Sequence, residues 1–172
     1  PASAASADAP ALHALFFATP ATVAAGAFER EVALRAPEVR VIPHPCEGLA
    51  AAIEAGAADR AAALVQSATA AALDEARRRG GGAPEIAVLG CTHYPLAEAA
   101  FRDALPSSVT LLNQPAVVAA SLARYLQRRP AYERRDGPAR GPRLRCLTSG
   151  DPARVAPLAS AFFGAALDFE RS

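Results

Sequence analysis

The sequence predicts an α/β fold built on a parallel sheet, and three observations carry the prediction. Short, nearly continuous apolar runs such as Leu15-Phe16-Phe17-Ala18 and Ile86-Ala87-Val88-Leu89 alternate with longer segments whose apolar residues recur at helical spacing. The apolar runs end in turn-forming residues, Thr19-Pro20 after the first and Gly90 after the second. Strand, helix, strand, helix in that order requires crossover connections, which are right-handed by default and make the sheet parallel.

Taken in order, residues 15–18 read as a buried strand. Residues 22–34 carry Val23, Ala27, Phe28, Val32 and Ala33 on a helical period that Pro37 ends. Residues 39–42 are the next strand, and 49–53 begin a helix that Gly56 can close. From 57 to 79 an Ala-rich stretch places Leu64, Val65, Ala68, Ala72, Leu73 and Ala76 along one side, the pattern of an amphipathic helix, and Gly80-Gly81-Gly82 stops it. Strand 86–89, strand 109–112 and helix 116–126 continue the rhythm. Residues 128–142, rich in Arg with Pro and Gly and almost without apolar residues, read as a solvated loop. A final strand at 144–147 and a final helix at 155–163, introduced by Gly150-Asp151-Pro152, close the chain. No repeat of fixed period is visible, and the Ala/Ser-rich residues 1–10 read as a tail.

Composition narrows the function. At 172 residues the chain can bury one good core or two small lobes. Its basic residues are all Arg, yet the net charge is only +1, so no field for a polyanion is expected and nucleic acid is not a predicted partner. Three cysteines, Cys46, Cys91 and Cys146, form no metal-ligand or disulfide-framework spacing, which favours a reduced, cytoplasmic chain without a metal site. No long apolar run or signal-peptide pattern is present, so no membrane association is expected. With no Met at position 1, residue 1 is not expected to be the native start.

The most informative segment is Val88-Leu89-Gly90-Cys91-Thr92-His93-Tyr94-Pro95-Leu96. A buried strand there runs into a polar turn, the usual place for an active site in an open α/β sheet, and a Pro starts the next element. A thiol two residues from an imidazole is a candidate base or nucleophile, because a neighbouring donor or cation favours the thiolate. A buried structural cysteine beside a strand-end histidine is the plain alternative.

Gly90-Cys91-Thr92-His93-Tyr94-Pro95-Leu96 resembles the second signature of glutamate racemases, members of the cofactor-independent aspartate/glutamate racemase superfamily. Further pieces follow in the family's order: Ala18-Thr19-Pro20-Ala21-Thr22-Val23, Cys46 with Glu54-Ala55-Gly56, Val109-Thr110-Leu111-Leu112-Asn113, and Thr148-Ser149-Gly150-Asp151. The resemblance covers roughly residues 15–172. It implies two pseudosymmetric α/β lobes, with mostly parallel sheets flanked by helices, and the substrate between them. Residues 16–113 would form the complete lobe, and 1–15 with 114–172 part of the other, whose opening strands are absent.

The implied chemistry is racemisation of L- and D-glutamate without a cofactor, supplying D-glutamate for peptidoglycan. A Cα proton must leave one face and return to the other, so two bases are needed in a site that stabilises the carbanionic transition state. A free thiol, with a pKa of about 8.5, needs its surroundings to make it a base near neutrality. By resemblance Cys91 serves one face, removing the proton of the L enantiomer, and a cysteine of the other lobe serves the opposite face. His93 would assist Cys91, Glu54 would orient His93, Thr92 would bind substrate, and Thr19 and Thr22 would hold its carboxylate or amino group. Read plainly, Thr19 and Thr22 form an N-cap turn and Glu54 faces solvent on its helix. Cys46 and Cys146 read as structural strand or core residues, and His13 and His44 as surface or turn residues. The partner implied is small-molecule glutamate, with a homodimer as a further expectation.

The chain departs from the family pattern in ways that set the alternatives. The family's N-terminal Asp-Ser-Gly turn and its Cys-Asn-Thr motif, which carries the first catalytic thiol, are not in this sequence. Phe28 stands where Tyr is usual, Ala25 where Ser is usual, and Asn113 where Asp is usual. A partial racemase is the reading these features favour, and with one thiol the chain alone is expected not to racemise. An aspartate or hydantoin racemase on the same scaffold is the alternative enzyme, and a catalytically dead ligand-binding relative the alternative of another class.

Overall fold

The computed structural model describes residues 12–80, 82–132 and 144–172. The tail expected at 1–10 and most of the loop expected at 128–142 lie outside them. The chain divides into two compact units, one through Ala120 and one from Ser121.

The first unit is a four-stranded sheet in which every pair is parallel. Its strands are β1 (Leu12–Ala18), β2 (Val39–Pro45), β3 (Ile86–Leu89) and β4 (Thr110–Asn113), in the order β2-β1-β3-β4. β1 is apolar from Ala14 to Ala18 because it is central, and all five of those residues are buried. The edge position of β2 explains how it accommodates Pro43 and Pro45, which cannot donate to a ladder. β1 begins earlier than its most apolar residues: Leu12 to Leu15 pair with Val39 to Ile42. Residues 12–15, expected in the second lobe, therefore belong to this sheet.

The helices are α1 (Pro20–Ala25), α2 (Ala27–Arg35), α3 (Leu49–Glu54), α4 (Ala58–Arg78) and α5 (Glu98–Ala104), with a 3-10 turn at Tyr94–Ala97 before α5. The single helix expected over 22–34 is broken, because Gly26 takes φ 60 and caps α1 before α2 begins. α4 follows its predicted face closely, burying Ala61, Val65, Ala68, Thr69, Ala72 and Ala76. α5 is short, with only Phe101 fully buried, and its Ala-rich sequence lacks the period that announces a helix.

Aromatic residues centre the core. Phe17 packs against Phe101 at a centroid distance of 5.1 Å, and Tyr94 lies 6.1 Å from the same ring. Leu15, Leu49, Val65 and Leu89 are fully buried with them. Thr69 is the exception in this apolar surface: it is buried, and its hydroxyl has no hydrogen-bond partner among the described residues. A valine of the same shape removes that desolvated hydroxyl, so Thr69→Val is expected to stabilise the unit by about 1 kcal/mol. A lower urea midpoint in the variant would show that the hydroxyl is satisfied in solution.

The second unit takes the end of α6 (Gln114–Gln127) and a 3-10 turn at Pro130–Tyr132. β5 (Cys146–Thr148) and β6 (Phe169–Arg171) then pair in parallel and are joined by α7 (Pro152–Phe163). Asp151 caps α7 by accepting from the Ala153 N–H, and Pro152 sits at its first turn, as the sequence predicts. β6 is a strand the sequence reading lacks. Its three residues are too few to show alternation, and it exists by pairing with β5, where Ser172 N–H also donates to the Thr148 carbonyl.

Candidate active site

In the order β2-β1-β3-β4, the chain leaves β1 toward β2 and leaves β3 toward β4, so the connections diverge at the carboxyl ends of β1 and β3. A crevice opens at such a switch point because no crossover covers it. Thr19 follows β1 there and Cys91 follows β3; Phe17 and Leu89 are register partners just before them. Both segments the sequence singles out thus arrive at the carboxyl end of the sheet's two central strands.

The turn after β3 is held from beneath. Gly90 N–H donates to the Phe17 carbonyl at 2.7 Å, and Tyr94 N–H returns to the Cys91 carbonyl at 3.2 Å. Tyr94 is fully buried, and its hydroxyl donates to the carbonyl of Cys46 at 3.3 Å, tying this turn to the end of β2. Gly90 is required by space: a Cβ there would lie 2.2 Å from Cε2 of Phe16.

On this support three of the six expected site residues form one chain of contacts. Cys91 Sγ lies 3.6 Å from His93 Nδ1, and His93 Nε2 lies 2.7 Å from Glu54 Oε1 at the end of α3. The Glu54 carboxylate accepts from Nε2–H, which leaves Nδ1 of a neutral ring free to take a proton from sulfur. The imidazole is partly covered, with 32% of its side-chain surface exposed, and Glu54 is more open at 54%. Glu54 is therefore a partner of the histidine in addition to facing solvent. Thr92 is exposed in the turn between Cys91 and His93.

Thr19 and Thr22 form a second, smaller group. Thr19 caps α1, accepting from the Thr22 N–H at 3.3 Å, and the two hydroxyls lie 2.9 Å apart. The N-cap reading of this pair holds, and both side chains stay half-buried at the end of β1.

The other cysteines and histidines separate from this group. Cys46 is buried just after β2, and burial pushes its thiol up to about 12, so it stays protonated near neutrality. Cys146 lies on β5, as expected. His44 and His13 are strand residues and not turn residues. His44 packs edge-on to Phe17 at 6.1 Å, and its burial lowers its pKa. His13 lies on β1 and uses its backbone N–H to bind the Glu85 carboxylate. Among the described residues no three His, Cys, Asp or Glu side chains cluster as a metal site would need, and no helix is long and apolar enough to cross a membrane.

Two supporting contacts were not legible in sequence. Asn113, at the end of β4, donates through Nδ2 to Glu98 at the start of α5, while its Oδ1 is buried without a partner among the described residues. Phe16 and Phe28 stack at 4.0 Å with an interplanar angle of 9°. Both join residues distant in sequence through the sheet's geometry, for which no local pattern exists.

No family model matches the chain. Over 158 residues it is 46% identical to the glutamate racemase of Cereibacter sphaeroides (strain ATCC 17025) and 47% identical to that of Paracoccus denitrificans, covering 92% of this chain and 55% of each relative. The chain thus spans about half the length of the curated relatives it matches. The solved glutamate racemase of Francisella tularensis, in complex with D-glutamate, has the same fold over 93% of this chain and 56% of its own, with a TM-score of 0.72 at 19% identity. Over 92% of its length this chain is similar in sequence to glutamate racemases, and it shares the fold of a solved one.

Proposed function

We propose that the protein carrying this chain interconverts L- and D-glutamate by moving the α-proton, with Cys91 as the acid/base group on one face. The observation that carries this reading is the Cys91-His93-Glu54 contact chain at the sheet's switch point, in a chain whose relatives are glutamate racemases. The histidine gives the thiol a place to send its proton, which lets sulfur act as a base, and the carboxylate holds the ring with the correct nitrogen toward sulfur. Thr92, Thr19 and Thr22 supply hydroxyls at the same end of the sheet for the substrate's carboxylate and ammonium. No cofactor enters this scheme; the opposite face requires a second thiol outside the contact chain. D-glutamate for peptidoglycan is the expected use of the product, in a cytoplasmic enzyme that acts as a homodimer.

The test is α-proton exchange in deuterium oxide, using the protein that carries this chain with L- or D-glutamate. Cys91→Ser is expected to slow exchange by about a hundredfold or more, the usual contribution of a positioned acid/base group. Unchanged exchange from both enantiomers would overturn the reading. Aspartate and a hydantoin in the same assay separate the related racemase activities, since faster exchange of either would reassign the substrate. Absence of exchange in the wild type with all three would indicate a binding protein.

A further inference from the structure

We propose that Cys91, His93 and Glu54 give this chain a second activity: thiol-dependent acyl transfer, the hydrolysis of activated esters and thioesters of small carboxylic acids through an acyl-Cys91 intermediate. The three groups stand in the order that nucleophilic catalysis needs. The sulfur is 3.6 Å from Nδ1, and Nε2 is 2.7 Å from the carboxylate that orients the ring. The N–H groups of Thr92 and His93 donate to nothing else among the described residues. They leave two donors in the same turn for the charge that develops on an acyl oxygen. Cys91 is only partly buried and Thr92 is exposed, so a carbonyl carbon can approach.

This chemistry uses one thiol on one face. It does not require the second base that racemisation needs, and it is independent of the racemase reading. In the first half, His93 Nδ1 takes the Cys91 proton as sulfur bonds to the carbonyl carbon and the carbonyl electron pair moves to oxygen. The tetrahedral species collapses, the carbon–oxygen or carbon–sulfur bond to the leaving group breaks, and that group departs with the proton from Nδ1. In the second half, Nδ1 takes a proton from water as the water oxygen bonds to the acyl carbon. The carbon–sulfur bond then breaks and sulfur recovers its proton from the ring. The sum is ester plus water to acid plus alcohol or thiol, with no change of oxidation state.

The 172-residue chain with p-nitrophenyl acetate tests this directly. The expected result is a rapid release of one equivalent of p-nitrophenolate, followed by steady turnover, with one acetyl group found on Cys91 by peptide mass spectrometry at early times. Cys91→Ser is expected to lower both phases by about a hundredfold, and Glu54→Gln by about tenfold, on the scale of acid/base contributions. His93→Gln is expected to slow deacylation most, and Cys146→Ser to leave both phases unchanged. If His93→Gln does not fold, as judged by circular dichroism, the helix-end Glu54→Gln carries the test. Release unchanged in Cys91→Ser, acetyl on another residue, or one equivalent without turnover would each overturn the proposal. None of these outcomes affects α-proton exchange, which is measured separately.

Discussion

Raising the pH from 9 to 12 is expected to remove about 4 kcal/mol of stability from the chain through a single thiol, at about 1.4 kcal/mol for each pH unit. Burial raises the Cys46 thiol well above the range of a free thiol, to about 12. Below pH 9 the thiol is neutral in both the folded and unfolded chain, so this contribution is fully present. Above pH 9 the unfolded chain releases its proton while the folded chain holds it, and stability falls until the folded thiol also titrates. The buried Tyr94 phenol, raised by the same cause, adds in the same direction. Urea midpoints at pH 8, 10 and 11 should therefore decline, and Cys46→Ala should flatten the decline at a modest cost near neutrality. A midpoint that does not move between pH 8 and 11 would show that Cys46 is accessible to water in solution.

Replacing Gly90 with alanine is expected to destabilise the first unit by about 2–3 kcal/mol and to slow alkylation of Cys91 or change its pH profile. The added Cβ would lie 2.2 Å from Cε2 and 2.4 Å from Cζ of Phe16. The ring cannot simply swing aside, because it is buried and stacked on Phe28 at 4.0 Å. If β3 moves instead, the 2.7 Å bond from Gly90 N–H to Phe17 lengthens and the Cys91 turn shifts with it. Phe16→Leu in the same chain opens space, so the double variant should recover part of the loss even though the leucine alone costs stability. Additive losses in the double variant would show that the two positions do not meet. A Gly90→Ala melting temperature equal to the parent's would show that the site tolerates a side chain.

Much of this arrangement was readable in the chain because it depends on local pattern. The apolar run 15–18 marks a central strand because a strand covered on both faces has no polar side to show. The α4 face is periodic over five turns, which is long enough to be unambiguous. The run from Gly90 to Leu96 singled out the candidate turn and its thiol and imidazole within four residues. Gly26, in contrast, lies inside a helical period and gives no local sign of whether it is tolerated or takes the left-handed conformation that breaks the helix. α5 and β6 are too short, or too poor in contrast, for periodicity to reveal them.

By itself the sequence determined the parallel α/β character, the order of most elements, the resemblance to glutamate racemases, and the candidacy of Cys91 and His93. Each depends on residues close together in the chain or on a contiguous motif. The tertiary structure alone decided that Glu54, on α3, reaches His93 at 2.7 Å rather than only facing solvent. It also decided that Cys46 is buried beneath the Tyr94 contact and that Gly90 is held open by an aromatic stack. The reason is physical: these facts arise where the order β2-β1-β3-β4 brings segments distant in sequence to the carboxyl ends of the strands, and contact distance and burial there depend on packing across strands rather than on neighbours along the chain.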